Sequence, residues 1–547
     1  MIDPDDFTSL EELTRWQRDL DRRGLRATGS PAHSAYVDDL ARRLADLGVP
    51  DVRTEVLPMR RWTPSHWELS VDGAPVPLTS FVAYSGSTGP DGVSGPLSTV
   101  PAPGTIGVVD IPVVAFPAAT FDGLDWDAPH EPVHAADYDP TAPYERVSFS
   151  QDLMREALAR FQAGGSAGLV LVVDLPAEQI ADGYLLYDGV FRDIPAVFVA
   201  REAAEPLRAA AGCGAPARLV LEAVVERVET ANVVALIPGA SDELVVLHSH
   251  TDGPNGIEDN GPEAILAMAA HLAALPRQEL PRSVLVLLST GHFAIEEAWG
   301  VEDFLARHAE DLVPRIAAVL SLEHFGALPS RIDRGREADL PAFEFGCSFA
   351  SPHRALIDIV RAAMSRAAVT EARVLRPFVP ETSGRSPDGL TWPGDGGPFW
   401  HAAGLPTANF ITGPDYLFNV EPVMEFIDVA ALRRQAIAFT EAVLELGAVP
   451  WTSCTRGWTP PSVRPRDARR PVAAVRRCRP HLDGGVAACR GGAAARVRGV
   501  RRALRRPVRW ARAPPGGRRV RRLGARPLGP RPVARPPRGD QHRAGGV

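Results

Sequence analysis

Residues 244–261 read LVVLHSHTDGPNGIEDNG. An apolar run suited to a strand ends in His250-Thr251-Asp252. A loop rich in Gly, Pro and Asn then delivers Glu258, Asp259 and Asn260 just before a helical pattern. Imidazole and carboxylate are donors that zinc accepts, and open α/β sheets build their sites at the ends of strands. His250 and Asp252 stand two apart, so on an extended strand their side chains share a face. One can then bind a metal while the other orients it. The competing reading is a polar loop after a strand, with Asp259 capping the helix that opens at Pro262.

Three further segments bring chemistry to the ends of apolar runs. Ser321-Leu322-Glu323-His324 offers a carboxylate at Glu323, while His324, adjacent on a strand, is expected to face the other way. Gly291-His292-Phe293 offers an imidazole that can accept a proton near neutral pH, beside a Phe that cannot bind a metal. Glu296 and Glu297 follow closely and are additional candidates for proton transfer. Residues 392–399, WPGDGGPF, hold Asp395 and are followed by His401. His130 and His134 sit in a Pro/Asp-rich stretch and read as solvated.

The surrounding pattern supplies elements able to position these groups. Ser9 with Glu12 reads as a capping box before Leu13, Trp16 and Leu20 at helical spacing. Ser30-Pro31 opens a second helix that Gly48 stops. From about 62 to 228, short β-rich runs at 107–109, 169–173 and 196–199 alternate with helical stretches near 152–163 and 201–211. From 229 to 447 near-continuous Val/Leu strands at 244–248, 284–288, 316–322 and 408–411 alternate with helices, the sign of a sheet buried on both faces.

In order and framing, residues 10–447 resemble the zinc aminopeptidases of metallopeptidase family twenty-eight. The likeness is carried by the His250-x-Asp252 motif, the Asp259-Asn260 pair before a helix, the segment TGSPAHSAYVDDLARRLADLG (28–48) and ANVVALIPG (231–239). It implies an α/β fold with a doubly wound, mostly parallel sheet and a zinc exopeptidase activity on a peptide or small amide substrate. Asp252 would orient His250, Asp259 would occupy the metal-bridging position, and Glu323 would replace a ligand that is often Asp. Where the family carries Gly-Glu-Glu, a general base followed by a ligand to a second zinc, this chain has Gly291-His292-Phe293. Where the family has its last His ligand, this chain has Gly396, with Asp395 retained; His401 lies five residues on and on a different helical face. These departures imply one zinc, held by His250, Asp259 and Glu323, with His292, Glu296 or Glu297 taking the proton. Residues 167–172 and 193–199 resemble a protease-associated domain, which implies that 62–228 is a β-rich insertion lying over the active site.

The expected organisation is therefore helices of the peptidase-like domain at 1–61, the insertion at 62–228, the catalytic domain at 229–447 and a tail at 448–547. The net charge of −8 is unevenly spread, because 26 Arg and only 3 Asp follow Pro450. The acidic body argues against binding nucleic acid or a membrane surface. The tail of Arg, Pro, Gly and Ala cannot bury enough apolar area to offset chain entropy, so disorder is expected. It reads as a non-functional extension or as GC-rich codons translated out of frame. The acidic start lacks a signal-peptide pattern, and no apolar run approaches the roughly 20 residues of a membrane span. Only Cys213 and Cys347 precede the tail, so no disulfide framework is indicated and a cytoplasmic setting fits. A serine hydrolase is disfavoured because the G-x-S-x-G match at 164–168 follows a helical stretch and precedes a β-rich run, the reverse of the strand-to-helix order of a nucleophile elbow. Two function classes remain: a one-metal hydrolase, or a peptidase-shaped binding protein that has lost catalysis.

Overall fold

A computed structural model describes residues 2–126, 141, 143–329, 344–378 and 392–450. His130, His134 and the tail from 451 lie outside the described residues. The two N-terminal helices, Leu10–Asp21 and Pro31–Asp46, begin where the sequence provides caps. Ser9 Oγ accepts from the Glu12 amide, and Ser30 Oγ accepts from the His33 amide, both at 3.1 Å.

Strand Ser241–His250 lies at the centre of a mixed sheet. It runs parallel to Arg282–Ser289 on one side and to Ile316–Leu322 on the other, and Thr407–Thr412 continues the parallel run. Gly346–Ala350 then pairs antiparallel to Thr407–Thr412 and parallel to Ala372–Leu375. Successive side chains of a strand point to opposite faces, and the central strand obeys this. Val245 and Leu247 join a core with Leu266 and Met268 of helix Gly261–Ala274 and Phe439 of helix Val429–Ala448. Leu244 and Val246 join a second core with Val301 and Phe304 of helix Gly300–Arg307. Helices therefore cover both faces of a mostly parallel sheet, the architecture that the strand patterns imply.

Two long strands, Arg53–Val71 and Pro216–Ile237, pair antiparallel along almost their whole length. The far end of the second pairs with Arg282–Ser289, and its near end pairs with Val93–Ser98. Beyond it, Val93–Ser98, Ile106–Ile111, Gly168–Val173 and Ala196–Val199 form a parallel run. Helices Gln151–Ala163 and Ala204–Cys213 connect strands of this part of the chain. The expected limits of 62 and 228 fall inside these two long strands. Among the described residues no helix is long and apolar enough to cross a membrane. Cys213 is exposed and Cys347 buried, and both are free thiols.

Two buried histidines give the fold a pH dependence. His248 on the central strand touches Ser321 Oγ at 2.9 Å and Ser289 Oγ at 2.8 Å, linking three parallel strands. His33 touches Thr251 Oγ1 at 2.8 Å. Burial is the chief cause that lowers His248 to about 3 and His33 to about 4. In the unfolded chain both rings take up a proton near 6.5, whereas in the folded chain they stay neutral until the lower values. The stability they contribute is thus present above 6.5 and is lost as the pH falls, by about 1.4 kcal/mol per pH unit per ring. The urea midpoint should drop between pH 7 and pH 5, and His33→Asn should flatten that slope. An unchanged slope in the variant would contradict this account.

Candidate metal centre

The ends of the parallel strands converge on one buried pocket. His250 is the last residue of the central strand, Glu323 and His324 follow Ile316–Leu322, and His292 follows the turn after Arg282–Ser289. The loop after His250 contributes Glu258, and the turn before Gly397–His401 contributes Asp395. All six side chains are almost fully buried.

The three imidazoles share one arrangement. His250 Nδ1 lies 3.0 Å from the Asp252 carbonyl oxygen, His324 Nδ1 2.6 Å from the Thr412 carbonyl oxygen, and His292 Nδ1 2.8 Å from Asp395 Oδ1. A carbonyl or carboxylate oxygen can only accept, so each Nδ1 carries the hydrogen. In a neutral ring this leaves Nε2 with its lone pair. Those Nε2 atoms meet carboxylates: His250 is 3.8 Å from Glu323 Oε2, while His292 and His324 are 3.3 and 3.9 Å from Glu258 Oε1. The His250 and His292 rings stack at 4.1 Å. Two groups emerge, His250–Glu258–His292 and His250–Glu323–His324, and the donor atoms of each lie within 4.8 Å of one another.

Hydrogen bonding leaves this pocket incomplete. His250 Nε2, His324 Nε2, both Glu258 oxygens, Glu323 Oε2 and Asp395 Oδ2 are buried without a hydrogen-bond partner. Native interiors rarely leave such atoms unpaired. Tetrahedral zinc bound to N and O donors at about 2.0–2.2 Å separates its ligands by roughly 3.4 Å. The contacts of 3.3–3.9 Å across the pocket are close to that spacing. The residues present therefore fit a metal of the zinc type.

Charge reinforces the fit. Burial alone would lower His292, but Asp395 and Glu258 outweigh it and raise the ring well above its usual value. Burial would likewise raise Glu258, yet His250, His292 and His324 bring it down to about 2. Asp395 is also lowered, chiefly by His292 against the opposing effect of burial. The pocket holds ionised carboxylates and draws positive charge towards them.

Glu323 is fixed by its neighbours. Its Oε1 accepts from Ser321 Oγ at 3.3 Å and from the Asp395 amide and Asn409 Nδ2 at 3.0 Å. Gly394 makes the turn possible: its φ is +80°, and a Cβ there would sit 2.8 Å from Glu323 Oε1.

Other expected residues take different places. Asp259 lies outside both groups, because Arg26, fully buried, donates to it twice: Nε to Oδ2 at 2.7 Å and Nη2 to Oδ1. Asp259 does not cap the following helix either, whose cap position is Asn260. Its neighbour Glu258 enters the pocket instead. Asp252 orients His250 through its backbone carbonyl. Its carboxylate accepts from Thr28 Oγ1 and the Phe293 amide at 2.6 and 2.8 Å, which fixes the turn bearing His292. Glu297 pairs with Arg60, and Glu296 is exposed, so neither joins the described groups. His401 is exposed at the end of Gly397–His401, its ring edge-on to Trp392 at 6.2 Å.

His324 reverses the sequence expectation. Its φ of +55° breaks the alternation of the strand that ends at Leu322, so Glu323 and His324 both serve the pocket. An adjacent Glu-His at a strand end was the available signal.

The fold has counterparts among solved structures. The chain shares its fold with zinc aminopeptidases. The aminopeptidase from Aneurinibacillus sp. strain AM-1 is 16% identical with a TM-score of 0.53, over 80% of this chain and 93% of that one. BSAP, a zinc aminopeptidase from Bacillus subtilis, is 16% identical with a TM-score of 0.55, over 80% and 94%. A Peptidase M28 precursor from Shewanella amazonensis SB2B is 17% identical with a TM-score of 0.54, over 80% and 97%. No protein-family model and no curated protein matches the sequence.

Because the Arg26–Asp259 pair is buried, removing one partner strands a charge. Arg26→Ala should cost about 3–5 kcal/mol by urea denaturation. A cost below about 1 kcal/mol would mean that Asp259 finds another cation, as a metal ligand would.

Proposed function

We propose that the chain is a zinc-dependent exopeptidase-like hydrolase of the aminopeptidase type, with one metal rather than two. The reading is carried by one observation: three imidazoles, each anchored through Nδ1, turn Nε2 into a pocket of unpaired carboxylate oxygens. The two candidate groups share His250, and a single imidazole nitrogen serves one metal, so they describe one centre. His250, Glu323 and His324 would hold the zinc, since catalytic sites commonly use three protein ligands and leave a fourth position open. Bound there, zinc would supply Lewis acidity, polarising a scissile carbonyl and easing loss of a proton from water near neutral pH.

The chain's own residues then divide the proton work. Glu258, with both oxygens unpaired, takes a proton from the attacking water. His292, held at Nδ1 by Asp395 and 3.3 Å from Glu258, gives one to the leaving amine and is recharged by Glu258. In this role His292 is a donor as well as the acceptor that the sequence suggests. The part of the chain between 62 and 228 serves as the protease-associated cover: its Tyr187 stacks on His292 at 5.2 Å.

Elemental analysis should find about one zinc per chain, lost in His250→Ala and His324→Ala. Glu258→Gln and His292→Ala should retain the metal but lower the hydrolysis of amino-acid amides about 10²–10⁴-fold. Loss of zinc from Glu258→Gln and His292→Ala, with retention in His324→Ala, would transfer the metal to the other group. A zinc-bound protein without amide hydrolysis would leave the binding-protein reading.

A further inference from the structure

The contact of His292 Nδ1 with Asp395 fixes one point of the imidazole, and the torsion that turns a histidine ring is broad. The plane of the ring is set by flat neighbours. It stacks on His250 at 4.1 Å and 13°, and on Tyr187 at 5.2 Å and 21°. Tyr187 in turn stacks on Phe418 at 5.2 Å and 18°. These rings form one column that runs from His250 in the pocket, through His292, to the loop after Thr407–Thr412. Tyr187 also meets Phe293, the residue next to His292, at 5.0 Å.

Residues 184–193 hold that tyrosine in place. Leu186 has a φ of +60° and Gly189 a φ of +70°, so two left-handed residues bracket Tyr187 and Asp188. A leucine in that region is strained, and such strain collects where a site needs a fixed geometry. Gly189 lies against the His292 turn: a Cβ there would sit 2.8 Å from the Ala294 carbonyl carbon. The Asp188 carbonyl accepts from the Glu296 amide at 2.9 Å, and the Tyr184 amide donates to the Phe418 carbonyl at 2.8 Å. The Asp188 carboxylate accepts from Arg155 Nε at 3.0 Å, Arg192 Nη2 at 2.6 Å and the Val190 amide at 3.0 Å. None of these bonds uses the Tyr187 side chain, which stays half-buried beside the pocket.

Resting on the hydrolase reading above, in which His292 gives a proton to the leaving amine, we infer that Tyr187 is a positioning residue for His292. Its ring holds the imidazole plane so that Nε2 stays 3.3 Å from Glu258 while Nδ1 stays on Asp395. Tyr187 acts through His292 and supplies no proton of its own. The contacts are ring to ring at the spacing of offset aromatic pairs, so a phenyl ring can do the same work.

Kinetics of L-alaninamide hydrolysis by the zinc-loaded full chain test this. Tyr187→Ala should lower kcat about 3- to 10-fold with KM within about twofold, the worth of one aromatic pair. Tyr187→Phe should restore kcat. In the His292→Ala background the same Tyr187→Ala change should cost nothing further, because the group it positions is gone. A rise in KM at unchanged kcat would make Tyr187 a wall for the substrate and overturn the inference, as would full additivity in the double variant. Crystal structures of the variants decide independently of turnover. In Tyr187→Ala the His292 ring should turn away from Glu258, and in Tyr187→Phe it should stay. A ring that keeps both its contacts without Tyr187 overturns the inference. If the wild-type chain hydrolyses no amide, the hydrolase reading fails by itself, and the structures still show whether Tyr187 holds the ring.

Discussion

Three carboxylates, Glu258, Glu323 and Asp395, lie almost fully buried in one pocket. Unbalanced negative charge in such a place is costly, and much of the surrounding structure serves to balance it. Imidazoles approach from three strand ends, their outer nitrogens tied to oxygen acceptors and their inner ones turned to the carboxylates. The direction in which His292 and Glu258 are shifted, one towards protonation and the other towards ionisation, expresses the same demand. A divalent cation meets it more completely than a proton can.

The fold supplies rigidity where this balance needs it. Parallel strands end side by side, so residues far apart in sequence arrive within a few ångströms of one another. Two supports come from the N-terminal segment: Thr28 holds the Asp252 carboxylate, and Arg26 neutralises Asp259. Asp252 in turn fixes the turn of His292 and Phe293, whose rings meet Tyr187. Residues between 62 and 228 thereby touch the pocket through aromatic contact and contribute no ligand to the two described groups.

Much of the fold was legible because strand burial and helix caps are local properties. The run from Leu244 to His250 and the Ser9 and Ser30 caps form the elements their patterns imply. The site was legible in composition but not in full geometry. His250, His292, Glu323 and Asp395 converge with Glu258, whereas Asp259 pairs with Arg26, more than two hundred residues earlier in the chain, and nothing near Asp259 announces that partner. His324 was hidden by a single left-handed φ, which alternation along a strand cannot foresee. The course of the second long strand was hidden for a similar reason: Pro216–Ile237 passes from Val93–Ser98 at one end to Arg282–Ser289 at the other without a break in secondary structure.

The central claim is a single metal bound by histidine nitrogen and carboxylate oxygen in this pocket. Zinc K-edge X-ray absorption on the zinc-loaded chain tests it most directly. The account predicts nitrogen and oxygen neighbours at about 2.0–2.2 Å, with outer-shell scattering from two imidazoles. It also predicts no metal–metal vector. A second zinc at about 3.5–4 Å, the spacing of two-metal hydrolases, or a chain that binds no zinc at all, would contradict it.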